Sequence, residues 1–238
     1  MIFSFVFSDH FHLNYRRFIF QNQALMPAKV DWAEAIKPLL KKYKNTKHPL
    51  EYANTYQLLV MVVLSAQSTD VIINNIAPAL FKAFPNMDAL SKATSNDLIP
   101  FIGKVRNFVN KSKWLMEMSQ KIKSDKNIPK TLDELTALPG IGRKSANVIL
   151  RETGQKSEGV IVDLHVVRVA PRLGIASESE DPKKIEKEIM EALPRDKWDA
   201  GMAMSFLGRE ICRPKPKCEE CLMRTVCKYY KSITKKGA

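Results

Sequence analysis

Apolar and polar residues along this chain recur mostly at the spacing of α-helices. "DWAEAIKPLLKKY" (Asp31 to Tyr43) places its apolar residues on one helical face behind an aspartate cap, and Pro38 predicts a kink within it. The stretch from Thr55 to Phe84 reads as a buried helix, a polar break from Ser65 to Asp70, and a second helix. "SNDLIPFI" predicts a short helix entered from Ser95, and "NKSKWLMEMSQKIKSD" a longer one. "TLDELTAL" opens on a Thr-x-x-Glu capping box, Thr131 with Glu134. "DPKKIEKEIMEALP" carries Asp181 as a cap and Pro182 at the first helical position. "EGVIVDLHVVRV" is ambiguous, since its β-branched run suits a strand. A lone strand would have no partner, so a buried turn leading into a helix from Asp163 fits better. The expectation is an all-α fold without internal repeats.

Composition narrows the partner. The chain has 238 residues, 45% of them apolar, so a sizeable core is within reach. Its net charge of +13 suits a polyanion, either nucleic acid or an anionic membrane. No run of apolar residues is long enough to span a bilayer. From Arg209 to Ala238, nine Lys/Arg stand against three Glu, so nearly half the excess charge lies in the last thirty residues. The N-terminal stretch of residues 1–26 is aromatic-rich but lacks the basic start and cleavage site of a secretory signal. It is expected to be an extraneous or loosely packed arm.

The most informative stretch is "LPGIGRKSANVIL" (Leu138 to Leu150). Pro139 ends one helical pattern, and Gly140 and Gly142 allow positive φ and close approach of a ligand to the backbone. Such a helix-hairpin-helix turn aims the free amides of the second helix outward, where a DNA phosphate can accept from them. Arg143 and Lys144 stand at that helix end, where cations are disfavoured. A lysine nucleophile must lose its proton near neutral pH, and moving its pKa from about 10.4 to about 7.5 takes roughly 4 kcal/mol. The helix end supplies about 0.3–1 kcal/mol of this, Arg143 a little, and burial must supply the rest. These residues alone leave Lys144 open between nucleophile and phosphate clamp. Asp163, nineteen residues on, is open between a plain helix cap, the simpler reading, and a fixed carboxylate facing positive charge in a reaction.

All four cysteines fall in one segment, Cys212, Cys218, Cys221 and Cys227, spaced C-x5-C-x2-C-x5-C. Their confinement argues for a local cage rather than a disulfide scaffold. Four thiolates suit zinc or an iron–sulfur cluster, and a single central C-x2-C with longer arms favours a [4Fe–4S] cluster over zinc. The intervening "RPKPK" holds Lys215 and Lys217 on a stiff basic loop suited to phosphate.

Together "LSAQSTD", "LPGIGRKSANVIL", "VDLHVVRV" and the four-cysteine tail resemble the endonuclease III family, bifunctional DNA glycosylases and abasic-site lyases of the helix-hairpin-helix–Gly/Pro/Asp superfamily. The resemblance runs from about Asp31 to Lys231. It implies a two-lobed all-α fold with DNA across the cleft: a six-helix barrel over residues 48–157, a discontinuous helical domain from 27–47 and 158–231 carrying the cluster loop, and a basic tail at 232–238. It implies Lys144 as the Schiff-base lysine and Asp163 as the catalytic aspartate. It further implies Gln67 as the residue that enters the duplex, and Leu138, Gly140 and Gly142 as the phosphate-binding hairpin; Arg143, Lys215 and Lys217 are expected on DNA from their charge and position. The four cysteines become the [4Fe–4S] ligands. The expected partner is double-stranded DNA with damaged bases or abasic sites, met by a monomer in the cytoplasm, at the nucleoid of a bacterium.

Two departures stand out. The first cysteine spacing is five residues where the family commonly has six. The family's short I-G-x-Y-x-x-K-A turn becomes "IGKVRNFVNKSK" (Ile102 to Lys113), about three residues longer, with Val105, Arg106 and Phe108 as candidates for probing the opposite strand. The competing functions are a monofunctional glycosylase for mismatched or alkylated bases and a non-catalytic module that binds damaged DNA.

Overall fold

Caps and prolines, more than hydrophobic period, decide where the helices of this protein begin and end. The computed structural model describes residues 30–235. The expected arm at residues 1–26 lies outside them, as do residues 236–238 of the basic tail. Helices α1 (Trp32–Ala35) and α2 (Lys37–Tyr43) separate at Ile36. Pro38, near the start of α2, has no amide to continue the ladder from α1, so the predicted kink becomes a break. Next come α3 (Thr55–Ser65), α4 (Asp70–Ala83), α5 (Met87–Ser91), α6 (Ser95–Ile102) and α7 (Phe108–Ile122). They are followed by α8 (Leu132–Thr136), α9 (Arg143–Glu152), α10 (Leu164–Leu173), α11 (Pro182–Ala192), α12 (Ala200–Glu210) and α13 (Lys228–Lys235).

Three details correct the sequence reading. Thr94, not Ser95, caps α6, and it forms the full capping box with Asp97. At α8, Thr131 accepts from the Glu134 amide, but Glu134 answers through the threonine hydroxyl at 2.8 Å, so the reciprocal backbone bond is missing. The helix expected from Asn110 already starts at Phe108, after Asn107 takes the left-handed conformation at φ 59°. Val105 is buried there, whereas Arg106 is exposed and Phe108 half-buried.

The core centres on α3, where Tyr56 and Leu58 through Leu64 are all buried, against α4, α7 and α9. No strand occurs among the described residues. Val160, Ile161 and Val162 instead form a buried extended turn that delivers Asp163 to the start of α10. This turn lies on α12 at very short range. A Cβ on Gly201 would stand 2.5 Å from the Ile161 carbonyl oxygen and 2.7 Å from Val160 Cγ1. One on Gly208 would stand 2.8 Å from His165 Cβ. Glycine at these two places therefore sets the separation of α12 from the turn and from α10. At the far side, Tyr43 of α2 stacks on Phe206 of α12 with centroids 5.6 Å apart and donates to Glu210 at 2.8 Å.

Gly201→Ala is expected to cost about 1–3 kcal/mol of stability, the usual price of overpacking, because the nearest obstacle is backbone. A lowered midpoint of urea unfolding with unchanged slope checks this, and a midpoint equal to wild type would refute the close approach.

Candidate active site

Four helix ends meet at one place. Lys144 is the second residue of α9, Asp163 is the N-cap of α10, Asp70 is the first residue of α4, and Arg209 lies in the last turn of α12. Asp163 is tightly held. Its Oδ1 accepts from the amides of His165 and Val166, both at 2.9 Å. Its Oδ2 accepts from the hydroxyl of Ser205, itself fully buried in α12, at 2.6 Å. Asp163 is thus a cap and a member of the constellation at once.

Arg209 links the two carboxylates. Its Nη1 donates to Asp70 Oδ2 at 2.8 Å, and its Nη2 stands 4.0 Å from Asp163 Oδ2. Lys144 has no hydrogen bond or ion pair among the described residues. The residue as a whole is exposed, while its ammonium lies among protein groups that desolvate it. Burial lowers its pKa; Asp163 and Asp70 pull it upward, and Arg209 pushes it down. The net direction is down. Desolvation is the main cause, and Arg209 adds to it by standing beside the two carboxylates that favour the ammonium form. His48, between α2 and α3, also feels Lys144, and burial lowers its pKa to about 4, so it faces this region uncharged.

Arg143 behaves otherwise than expected. Its Nε donates to both oxygens of Glu186 at 2.9 and 3.0 Å, and its Nη2 to the Glu158 carbonyl at 3.0 Å. It is tied to α11, and Arg209 rather than Arg143 is the cation acting on Lys144.

The hairpin before α9 divides its labour. Leu138 and Ile141 are buried and bonded to each other, the Ile141 amide donating to the Leu138 carbonyl at 3.2 Å. Gly140 takes φ 78°, and a Cβ there would meet Trp114 Cε3 at 2.9 Å. Gly142 has an ordinary extended φ of −93°, against expectation, and its freedom is spatial: nothing lies within 4 Å of where its Cβ would be. No side chain caps α9, so its first amides are left for an external acceptor. Gln67 is exposed in the break between α3 and α4 and adopts a left-handed φ of 57°.

The cysteines share a small cavity with Leu173, Leu207, Ile211 and Tyr229. Among the described residues, no three His, Cys, Asp or Glu side chains are drawn close enough to hold a metal ion. The thiols nevertheless act on one another: burial raises the pKa of Cys218, Cys221 and Cys227, and their neighbours' charges raise it further. Arg172 of α10 pins the basic loop by donating to the carbonyls of Arg213 at 2.7 Å and Pro214 at 3.2 Å. Lys215 and Lys217 remain exposed on it, Lys217 with an ion pair to Glu220 at 3.5 Å.

Ser205, Arg209, Asp70, Arg172 and His48 were not singled out from sequence. Asp70 closes the quoted motif "LSAQSTD", and its position just before a helix was the one available signal.

Residues 60–195 match the model of the HhH-GPD superfamily of base excision DNA repair proteins. An endonuclease III of Synechocystis sp. is 36% identical, covering 85% of this chain and 94% of the relative. That of Bacillus subtilis is 32% identical, covering 79% and 87%. A solved structure of a trapped endonuclease III–DNA covalent intermediate superposes with a TM-score of 0.77 at 28% identity, covering 88% of this chain and all of the other.

The Lys144 ammonium is expected to titrate below the ordinary lysine range, and Arg209→Met should move its titration upward. Competitive acylation of the intact protein at a series of pH values, read by mass spectrometry of the Lys144 peptide, measures both. An unshifted midpoint in the variant would remove the arginine from this role.

Proposed function

The chain belongs to the HhH-GPD superfamily of base excision DNA repair proteins, in its endonuclease III family, and on that premise we propose how its residues divide the reaction. It is a DNA glycosylase and abasic-site lyase. The observation that carries the assignment of chemistry is the unpaired Lys144, with its lowered pKa, beside the fixed carboxylate of Asp163.

The damaged base, taken here to be an oxidised pyrimidine, is turned out of the stack, since its glycosidic carbon cannot be reached inside a duplex. The unprotonated Nζ of Lys144 attacks C1′. The C1′–N bond breaks, and the base departs with the bonding electron pair and takes up a proton. Asp163 faces the positive charge that develops on the sugar. The nitrogen on C1′ then expels O4′, which takes up a proton as the sugar ring opens, and the imine so formed acidifies C2′; loss of a proton there expels the 3′ phosphate by β-elimination, cutting the strand 3′ to the lesion. Arg209 lowers the Lys144 pKa and, by engaging Asp70, offsets the opposite pull of that carboxylate, while Ser205 and the first amides of α10 hold Asp163 in place.

DNA is held by groups away from the reacting carbon. The free amides of α9 and the backbone at Gly140 and Gly142 accept a phosphate, while buried Leu138 holds the hairpin in shape. Gln67 enters the duplex where the base leaves. Lys215 and Lys217 neutralise phosphates from the basic loop. The partner is damaged or abasic double-stranded DNA, bound by one copy of the chain in the cytoplasm. Contact of α2 with α12 supports the discontinuous domain, 27–47 with 158–231, packed beside a barrel at 48–157.

The donor set supports a [4Fe–4S] cluster on Cys212, Cys218, Cys221 and Cys227. It is all sulfur, lines one mostly apolar cavity, and has N–H donors near its sulfurs, from Arg172 to Cys212 at 3.7 Å and from the Tyr230 amide to Cys227 at 3.5 Å. Such a group would supply a structural cross-link within residues 212–227, the segment that carries the basic loop and that Arg172 ties to α10.

Borohydride should trap wild-type protein on duplex DNA containing thymine glycol. Lys144→Ala should abolish the adduct, and Asp163→Asn should slow its formation by about two to three orders of magnitude, as for loss of one preorganised electrostatic group. Base release without an adduct would instead mark a monofunctional glycosylase, and binding without release a non-catalytic module. Protein purified without oxygen should be brown with broad absorption near 400 nm (about that of an iron–sulfur cluster); a colourless protein with stoichiometric zinc would refute the cluster.

A further inference from the structure

Lys111 is a cation where an apolar residue would pack at no desolvation cost. It lies in the second turn of α7 and is only 1% exposed. No carboxylate pairs with it among the described residues. Its ammonium points instead at the C-terminal end of α3, where it donates to the carbonyls of Leu64 at 2.8 Å and Ala66 at 2.5 Å, with Ser68 Oγ at 3.4 Å. An ammonium has three protons, and all three are directed to one segment of five residues.

That segment carries Gln67. A helix as apolar as α3 must end with orphaned carbonyls, and no glycine is present to turn the chain. Ala66 leaves the helix at ψ 118°, and Gln67 then takes the left-handed φ of 57°. For a residue with a side chain this conformation is strained, and it persists only where the surroundings over-determine it. A positive charge at the C-terminal end of a helix dipole, bonded to the carbonyls on both sides of the turn, supplies that determination. Burial and the nearby Arg106 lower the Lys111 pKa to about 8.

We infer that Lys111 is a positioning residue which clamps the turn after α3 so that Gln67 projects toward the DNA duplex. The inference rests on the proposed entry of Gln67 into the helix. Lys111 touches no substrate; it acts by fixing the carbonyls of Leu64 and Ala66. The same clamp sets the start of α4 and hence Asp70, three residues beyond Gln67.

The test uses full-length protein and a duplex bearing a tetrahydrofuran abasic analogue opposite 2-aminopurine, whose fluorescence rises when the helix is invaded. Wild type should give the rise and Gln67→Ala should lose it. Lys111→Met, which keeps the stem and removes the charge, should lose it as well, with about tenfold weaker binding to this duplex, the size of about 1.4 kcal/mol. Added to Gln67→Ala, it should cause no further loss. Binding to undamaged duplex should stay as in wild type. Lys111→Gln, which retains two N–H donors, should restore part of the signal, and it serves if the methionine variant does not fold. A full fluorescence rise in both Lys111 variants, with loss in Gln67→Ala, overturns the clamp alone. A full rise in Gln67→Ala overturns the role of Gln67 and the clamp with it.

Discussion

In the proposed reaction an amine that is to attack carbon must shed its proton beside a carboxylate that faces the sugar, and the site is arranged around that conflict. Asp163 and Asp70 both favour the ammonium form of Lys144. Desolvation outweighs them, and Arg209 adds to it by engaging Asp70 at 2.8 Å while standing 4.0 Å from Asp163. The solution needs four helix ends at one point, which explains the close packing elsewhere. Arg209 reaches the carboxylates only if α12 lies against α10, and it lies there because Gly201 and Gly208 present no side chain to the Val160–Val162 turn and to His165.

How much of this was legible in sequence depended on local chemistry. Lys144 and Asp163 stood out because glycine, proline and a capping position announce themselves within a few residues. The all-α fold, the broken pair α3 and α4, and the buried turn ahead of Asp163 were legible for the same reason. Helix α12 was not, and neither were Ser205 and Arg209 within it. Ala200 through Gly208 are buried on every side, so no polar stripe marks a helical period. Arg143 misled for a different reason: its neighbour in sequence is Lys144, but its partner in space is Glu186, forty-three residues away. Charge proximity along a chain says little when successive helix residues point a hundred degrees apart.

The hairpin and the Gln67 turn are not independent features. Gly140 packs against Trp114 of α7 and Val63 of α3, with a hypothetical Cβ only 2.9 and 3.2 Å from them. Lys111, one turn before Trp114, holds the end of α3. Two turns of α7 therefore support both backbone segments proposed to meet DNA. A rigid mutual placement of phosphate site and inserted side chain is what extrusion of a base demands, since the duplex must be gripped on one side while it is opened on the other.

The bonding of Asp163 also limits what it can do. Two amides occupy Oδ1 and the Ser205 hydroxyl occupies Oδ2, so the carboxylate cannot rotate without breaking three hydrogen bonds. A residue that ferried a proton from Lys144 to a departing base would need that freedom. A fixed carboxylate is better suited to charge that appears and vanishes at one place, as on a sugar passing through an oxocarbenium-like state. In the proposed reaction the proton inventory then rests mainly on the amine itself. That is why the exposure of Lys144 matters in the proposed reaction as much as its desolvation: the proton it loses has a route to solvent.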